Sequence, residues 1–179
     1  MIDPGDEADK IVSAVESERL IPELILLTHG HFDHLSAVNA LKQKWDIQVL
    51  LHEADQMLAQ NASAQATMFG MSDPGNVSAD DFLHDNDELK IGNLLVKVSH
   101  TPGHSPGNVT FQAENHLFVG DLIFRGSIGR TDLPGGSYEQ LIRSVEDKIF
   151  TLPDSWIIHP GHGPDTTVGQ EKQNNPFFS

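Results

Sequence analysis

Four apolar runs in this sequence each empty into a cluster of histidine or aspartate, and that repetition restricts the fold more than any other feature. "ELILLTH" (23–29) leads into "HGHFDH", which carries His29, His31, Asp33 and His34. "NLLVKVSH" (93–100) leads into "TPGHSPGN" with His104, "HLFVG" into "DLIF" with Asp121, and "SWIIHPGHG" (155–163) ends on His162. A buried strand that opens into a polar loop is how a sheet scaffold presents reactive groups. The glycines and prolines around the clusters let the backbone bend sharply about a small centre. Ionisable groups crowded together without a cation would repel one another or stay unsatisfied. Taken jointly, the four clusters read as one metal centre.

Composition narrows the chemistry. The chain has no cysteine, which excludes a disulfide scaffold and any thiolate ligand, so a metal must be held by nitrogen and oxygen. Eleven basic against twenty-six acidic residues give a formal charge of −15, which argues against nucleic acid as a partner. No stretch approaches the roughly 20 apolar residues of a membrane span, and "MIDPGDEADK" lacks the pattern of a signal peptide. The expectation is a cytoplasmic protein with no membrane partner. A length of 179 residues suits one domain with a sizeable core.

Helical spacing of Ala8, Ile11, Val12 and Val15 predicts a helix within 6–19, and Leu35, Val38, Leu41 and Trp45 predict another within 34–45. Strands are predicted over 23–29, 47–53, 93–100, 108–114 and 116–124, with a last one running into the glycine-proline turn of 155–163. A hairpin is expected about Glu114-Asn115, a short helix around 53–60, and a helix over 137–150 with Ser137 as its N-cap. The segment 61–88 reads as irregular or lid-like. This order predicts a layered α/β protein with a mixed sheet and no internal boundary, a single domain over 1–179.

The HxHxDH signature in "THGHFDH", followed in order by a histidine, an aspartate and a histidine, resembles the metallo-β-lactamase-fold hydrolases. The resemblance runs from "IDPG" (2–5) to "HPGHG" (159–163). Within that superfamily, "TPGHSPGN", "VGDLIF", "GSIGRTDLPGG" and "HPGHGPDTTVGQEKQNNPF" are most similar to the small single-domain glyoxalase II-like proteins, relatives of hydroxyacylglutathione hydrolase. The resemblance implies an αββα sandwich with a two-metal site at one edge. Carried over position by position, it implies His29, His31 and His104 on one metal, Asp33, His34 and His162 on the other, and Asp121 bridging both. It also implies Asp3, Arg130 and Asp132 as groups that orient the ligands. The cofactors would be two divalent cations: zinc suits the imidazoles best, and the added carboxylates accept iron or manganese.

The implied reaction is hydrolysis of a thioester, an S-2-hydroxyacylglutathione giving glutathione and a 2-hydroxy acid. A water bridging the metals ionises near neutral pH. The hydroxide attacks the carbonyl carbon while one metal stabilises the oxyanion. Asp33 and Asp121 are the carboxylates closest to this chemistry. Two departures from the family pattern stand out. The chain ends without the C-terminal helical domain that contacts glutathione in full-length relatives, and it starts at "IDPG", where relatives carry their first strands. Those strands are expected to be missing, and an edge left uncovered predicts self-association, a homodimer among its forms. Two other functions share the motifs. Persulfide dioxygenases, with a similar "GRTD" element, hold one iron through the equivalents of His29, His104 and Asp121; a metal-binding remnant without catalysis is the other. His52, His84 and His116 read as structural or exposed, and His100 and His159 as packed beside ligands.

Overall fold

The apolar run after Glu23 forms β1 (Leu24–Leu26), which pairs in parallel with β2 (Gln48–His52), and β2 with β3 (Asp81–Leu83). The structure, a computed structural model, describes residues 1–178; its contacts divide the chain into two units, 1–83 and a second from His84 onward. In the first unit the sheet order is β1-β2-β3, and Ile2 extends it by a parallel bridge to Leu26. Two backbone bonds hold that bridge: Leu26 N donates to Met1 O (2.8 Å) and Asp3 N to Leu26 O (3.0 Å). Buried parallel strands need continuous apolar sequence, and Ile25, Leu27, Val49 and Leu51 are fully buried. Helix α1 (Ala8–Ser17) packs Ile11 and Val12 against this core, and α2 (Val38–Trp45) packs Val38 and Leu41.

The segment 61–88 departs from expectation. It contains the helix α4 (Ala62–Met68), which follows α3 (Gln56–Ala59), and then β3. The buried residues of α4 are Ala62 and Ala66. They are four apart, as a packed helix requires, but alanine's small side chain leaves a weak apolar stripe.

The second unit is built on a six-stranded sheet. Its strands are β4 (Glu88–Ile91), β5 (Leu94–His100), β6 (Val109–Ala113), β7 (His116–Gly120), β10 (Ile157–Pro160) and β11 (Thr166–Thr167). Their order is β11-β10-β7-β6-β5-β4, with β7 and β10 parallel and the other pairs antiparallel, so the sheet is mixed as predicted. The β6–β7 hairpin turns at Glu114, whose φ is 53°. The run predicted as one strand over 116–124 instead breaks after Gly120 (φ 56°), and resumes as β8 (Ile123–Phe124), paired with β9 (Ser127–Ile128). That break puts Asp121 in a turn at the end of β7. Helix α5 (Tyr138–Ser144) begins at the predicted cap, Ser137 Oγ accepting from Gln140 N at 3.3 Å, and widens into a π-helical turn over Val145–Ile149. A last helix, α6 (Val168–Asn174), joins the core of Leu117, Val119, Leu141, Val145 and Ile158 through Val168. No helix among the described residues is long and apolar enough to cross a membrane.

Candidate metal centre

In the first unit the chain leaves β1 and turns at once. His31 is extended (φ −77°, ψ 145°), and Phe32–His34 close a 3-10 turn through His34 N and His31 O (3.1 Å). This gathers three rings: His31 meets His29 edge-on with centroids 4.8 Å apart, and His34 lies tilted against His29 at 4.1 Å. His29 and His34 are buried, while the Asp33 side chain is 39 % exposed.

Asp3 organises these rings from behind. Its Oδ1 accepts from Thr28 N (2.7 Å), and its Oδ2 from the Thr28 hydroxyl (2.5 Å) and from His34 Nδ1 (3.0 Å). Thr28 Oγ1, having given its proton to Asp3, accepts from His29 Nδ1 at 3.0 Å. One carboxylate therefore fixes two tautomers, and both rings keep Nε2 as the lone-pair nitrogen. Asp3, His29 and His34 lie close enough to hold a cation themselves, with donor atoms within 4.8 Å of one another. The three hydrogen bonds that Asp3 already accepts favour an orienting role over ligation.

In the second unit the donors are His104, Asp121 and His162. His104 Nδ1 donates to the Arg130 carbonyl (2.8 Å), which again leaves Nε2 as the lone-pair nitrogen. That Nε2 stands 3.7 Å from Asp121 Oδ2, and His162 Nε2 stands 3.6 Å from the same oxygen. In the first unit, His34 Nε2 is 3.8 Å from Asp33 Oδ2. These separations exceed a hydrogen bond. Two donors held at a tetrahedral angle by bonds of about 2.1 Å would stand about 3.4 Å apart, so each pair suits a shared divalent ion. The donor set of imidazole nitrogens and carboxylates fits such an ion chemically.

Backbone packing keeps Asp121 in place. A Cβ on Gly129 would lie 1.7 Å from the Asp121 carbonyl oxygen, so only glycine allows this approach. The His104 loop is seated on α5 by Ser137 N donating to Gly103 O (2.7 Å) and Ser144 Oγ to Pro102 O (2.7 Å). His100 Nε2 donates to Pro106 O (2.9 Å) and braces the same loop. His159 Nδ1 meets Asp165 Oδ1 at 3.0 Å, bracketing the turn that carries His162, and His116 Nδ1 lies 2.8 Å from His159 Nε2. His52 Nδ1 accepts from Ala54 N (3.2 Å), and His84 pairs with Asp87 at the surface.

The Arg130 and Asp132 side chains do something other than orient an imidazole. They form an exposed two-pronged ion pair, with Nε to Oδ1 and Nη2 to Oδ2 both at 2.8 Å. The hydrogen-bonded guanidinium holds the Asp132 carboxyl down at about 2. Arg130 reaches His104 through its main-chain carbonyl alone, a contact that any residue can make. Thr28, conversely, takes part in the site although no motif marks it; the one signal in the sequence is a hydroxyl directly before the first histidine.

A family model described as the metallo-β-lactamase superfamily matches residues 1–162. The chain belongs to the metallo-β-lactamase superfamily. It has that superfamily's fold, and some of its relatives are named as metallo-hydrolases. It is 40 % identical to the probable metallo-hydrolase YqgX of Bacillus subtilis, covering 100 % of this chain and 86 % of that one. It is 39 % identical to the hydroxyacylglutathione hydrolase GloC of Haemophilus influenzae over the same shares. Among solved structures, the BLEG-1 B3 metallo-β-lactamase superposes with a TM-score of 0.93 at 41 % identity, covering 99 % of this chain and 87 % of that one. TTHA1623 in a di-iron-bound form gives 0.91 at 42 %, covering 98 % and 87 %. ETHE1 from Myxococcus xanthus gives 0.78 at 28 %, covering 98 % and 71 %.

Proposed function

We propose that this superfamily member is a two-metal thioester hydrolase of the hydroxyacylglutathione hydrolase type, cleaving an S-2-hydroxyacylglutathione to glutathione and a 2-hydroxy acid. The observation that carries the reading is Asp121, with one oxygen 3.7 Å and 3.6 Å from the Nε2 atoms of two histidines, as suits a ligand shared by two ions. The similarity to GloC along the whole chain supports the substrate class. In this reading His29, His31 and His104 would hold one cation, Asp33, His34 and His162 would hold the other, and Asp121 would serve both; zinc is the metal that three imidazoles favour.

Bound ions would supply a water acidic enough to ionise near neutral pH and a Lewis acid for the carbonyl. The residues supply the rest. Asp3 and Thr28 keep Nε2 of His29 and His34 unprotonated, and the Arg130 carbonyl does the same for His104. Asp33, the partly exposed carboxylate, takes up the proton released during attack. The test is turnover of S-lactoylglutathione by the zinc-loaded chain, with and without oxygen, beside a β-lactam and a glutathione persulfide. Thioester cleavage indifferent to oxygen is expected. Oxygen uptake with the persulfide, and no thioester cleavage, would overturn the proposal in favour of the single-iron dioxygenase suggested by the likeness to ETHE1.

A further inference from the structure

The loop His29–His34 is gripped from a second side, by residues that hold no metal. Asp55 is completely buried, and its Oδ2 accepts from Gly30 N at 2.9 Å. Gln65 of α4 reaches the same loop twice: its Oε1 accepts from Phe32 N (3.3 Å), and its Nε2 donates to Gly30 O (3.4 Å) while also bonding Leu58 O (2.7 Å). The gripped residues are Gly30 and Phe32, the two that alternate with His29, His31 and Asp33. Contact is close: a Cβ on Gly30 would lie 2.7 Å from Asp55 O and 2.8 Å from Leu58 Cβ. The Phe32 ring adds a stack on Phe69, with centroids 5.6 Å apart.

From this alternation we infer that Asp55 and Gln65 are positioning residues for the metal centre, acting through the backbone of Gly30 and Phe32 on the ligands between them. Burial of a carboxylate is costly unless it is hydrogen-bonded, and here the bond goes to the ligand loop. Asp3 sets which ring nitrogen is available; Asp55 and Gln65 set where the three odd-numbered ligands stand. Partners behind metal ligands typically change affinity by roughly 10- to 100-fold.

The inference rests on the metal-centre reading above, and cobalt titration separates the two. Cobalt(II) would be bound to the purified wild type, Asp55→Ala, Asp55→Asn and Gln65→Met, recording affinity and the visible absorption bands, which follow ligand geometry. Asp55→Ala and Gln65→Met should each bind cobalt roughly tenfold more weakly, with altered bands. Asp55→Asn, which keeps an oxygen for Gly30 N, should stay close to wild type. Should Asp55→Ala fail to fold, Gln65→Met carries the comparison. Folded variants that melt lower without metal, yet match the wild type in affinity and bands, would reduce both residues to general structural support and overturn the inference. A wild type that takes up no cobalt would overturn the metal centre itself, and the positioning role with it.

Discussion

Asp3 reaches His34 directly and His29 through the Thr28 hydroxyl, so two ring tautomers depend on one side chain. Asp3→Ala should therefore weaken metal binding by roughly 10- to 100-fold, and Thr28→Val, which interrupts only the branch to His29, by less. Competition with a chromogenic chelator measures both; equal affinities in wild type and Asp3→Ala would refute the arrangement. Arg130 and Asp132 predict a different behaviour. Asp132 is held at about 2 by Arg130, below the ordinary value of roughly 3.9. A depressed carboxyl favours the fold above its unfolded pKa, and the benefit fades as pH falls from about 4 to about 2. In Arg130→Ala the Asp132 carboxyl, followed by NMR, should return to the ordinary range while metal affinity stays unchanged, because the backbone carbonyl that His104 uses remains. At this scale the ligand candidates were legible because histidine and aspartate are rarely crowded by accident. The roles of Thr28 and of the Arg130 carbonyl were not, since a hydroxyl or a main-chain oxygen has no distinctive spacing.

Elements were legible where apolar periodicity was strong. β1, β2, β5 and β6 and the helices α1 and α2 all lie within their predicted stretches. α4 and α6 were missed because Ala62, Ala66 and the single large apolar residue Val168 leave almost no stripe to read. The two-residue strands β9 and β11 are too short to show a period of two, and their pairing comes from tertiary neighbours. Breaking 116–124 into β7 and β8 needed the positive φ of Gly120, which matters chemically because it puts Asp121 in the turn at the end of β7 instead of within a strand. The Ser137 cap gives a test at this scale. Ser137→Ala should destabilise the protein by about 1 kcal/mol, lowering the melting temperature by about 2–4 °C. The main-chain bond from residue 137 to Gly103 O survives the change, so metal affinity should not move. A melting temperature equal to wild type would show that the cap carries no stability.

For the molecule as a whole, the proposed centre rests on seven residues, His29, His31, Asp33, His34, His104, Asp121 and His162. Superfamily membership was already visible in the order of these residues along the chain, whereas metal identity and substrate depend on fine spacing and on groups outside the motifs. The central claim is that the seven ligands bind two ions. Elemental analysis of the zinc-saturated wild type and of His34→Ala tests it most directly. Close to two metals per chain in the wild type, falling toward one in His34→Ala, is the predicted result; saturation at one metal in both proteins would contradict it.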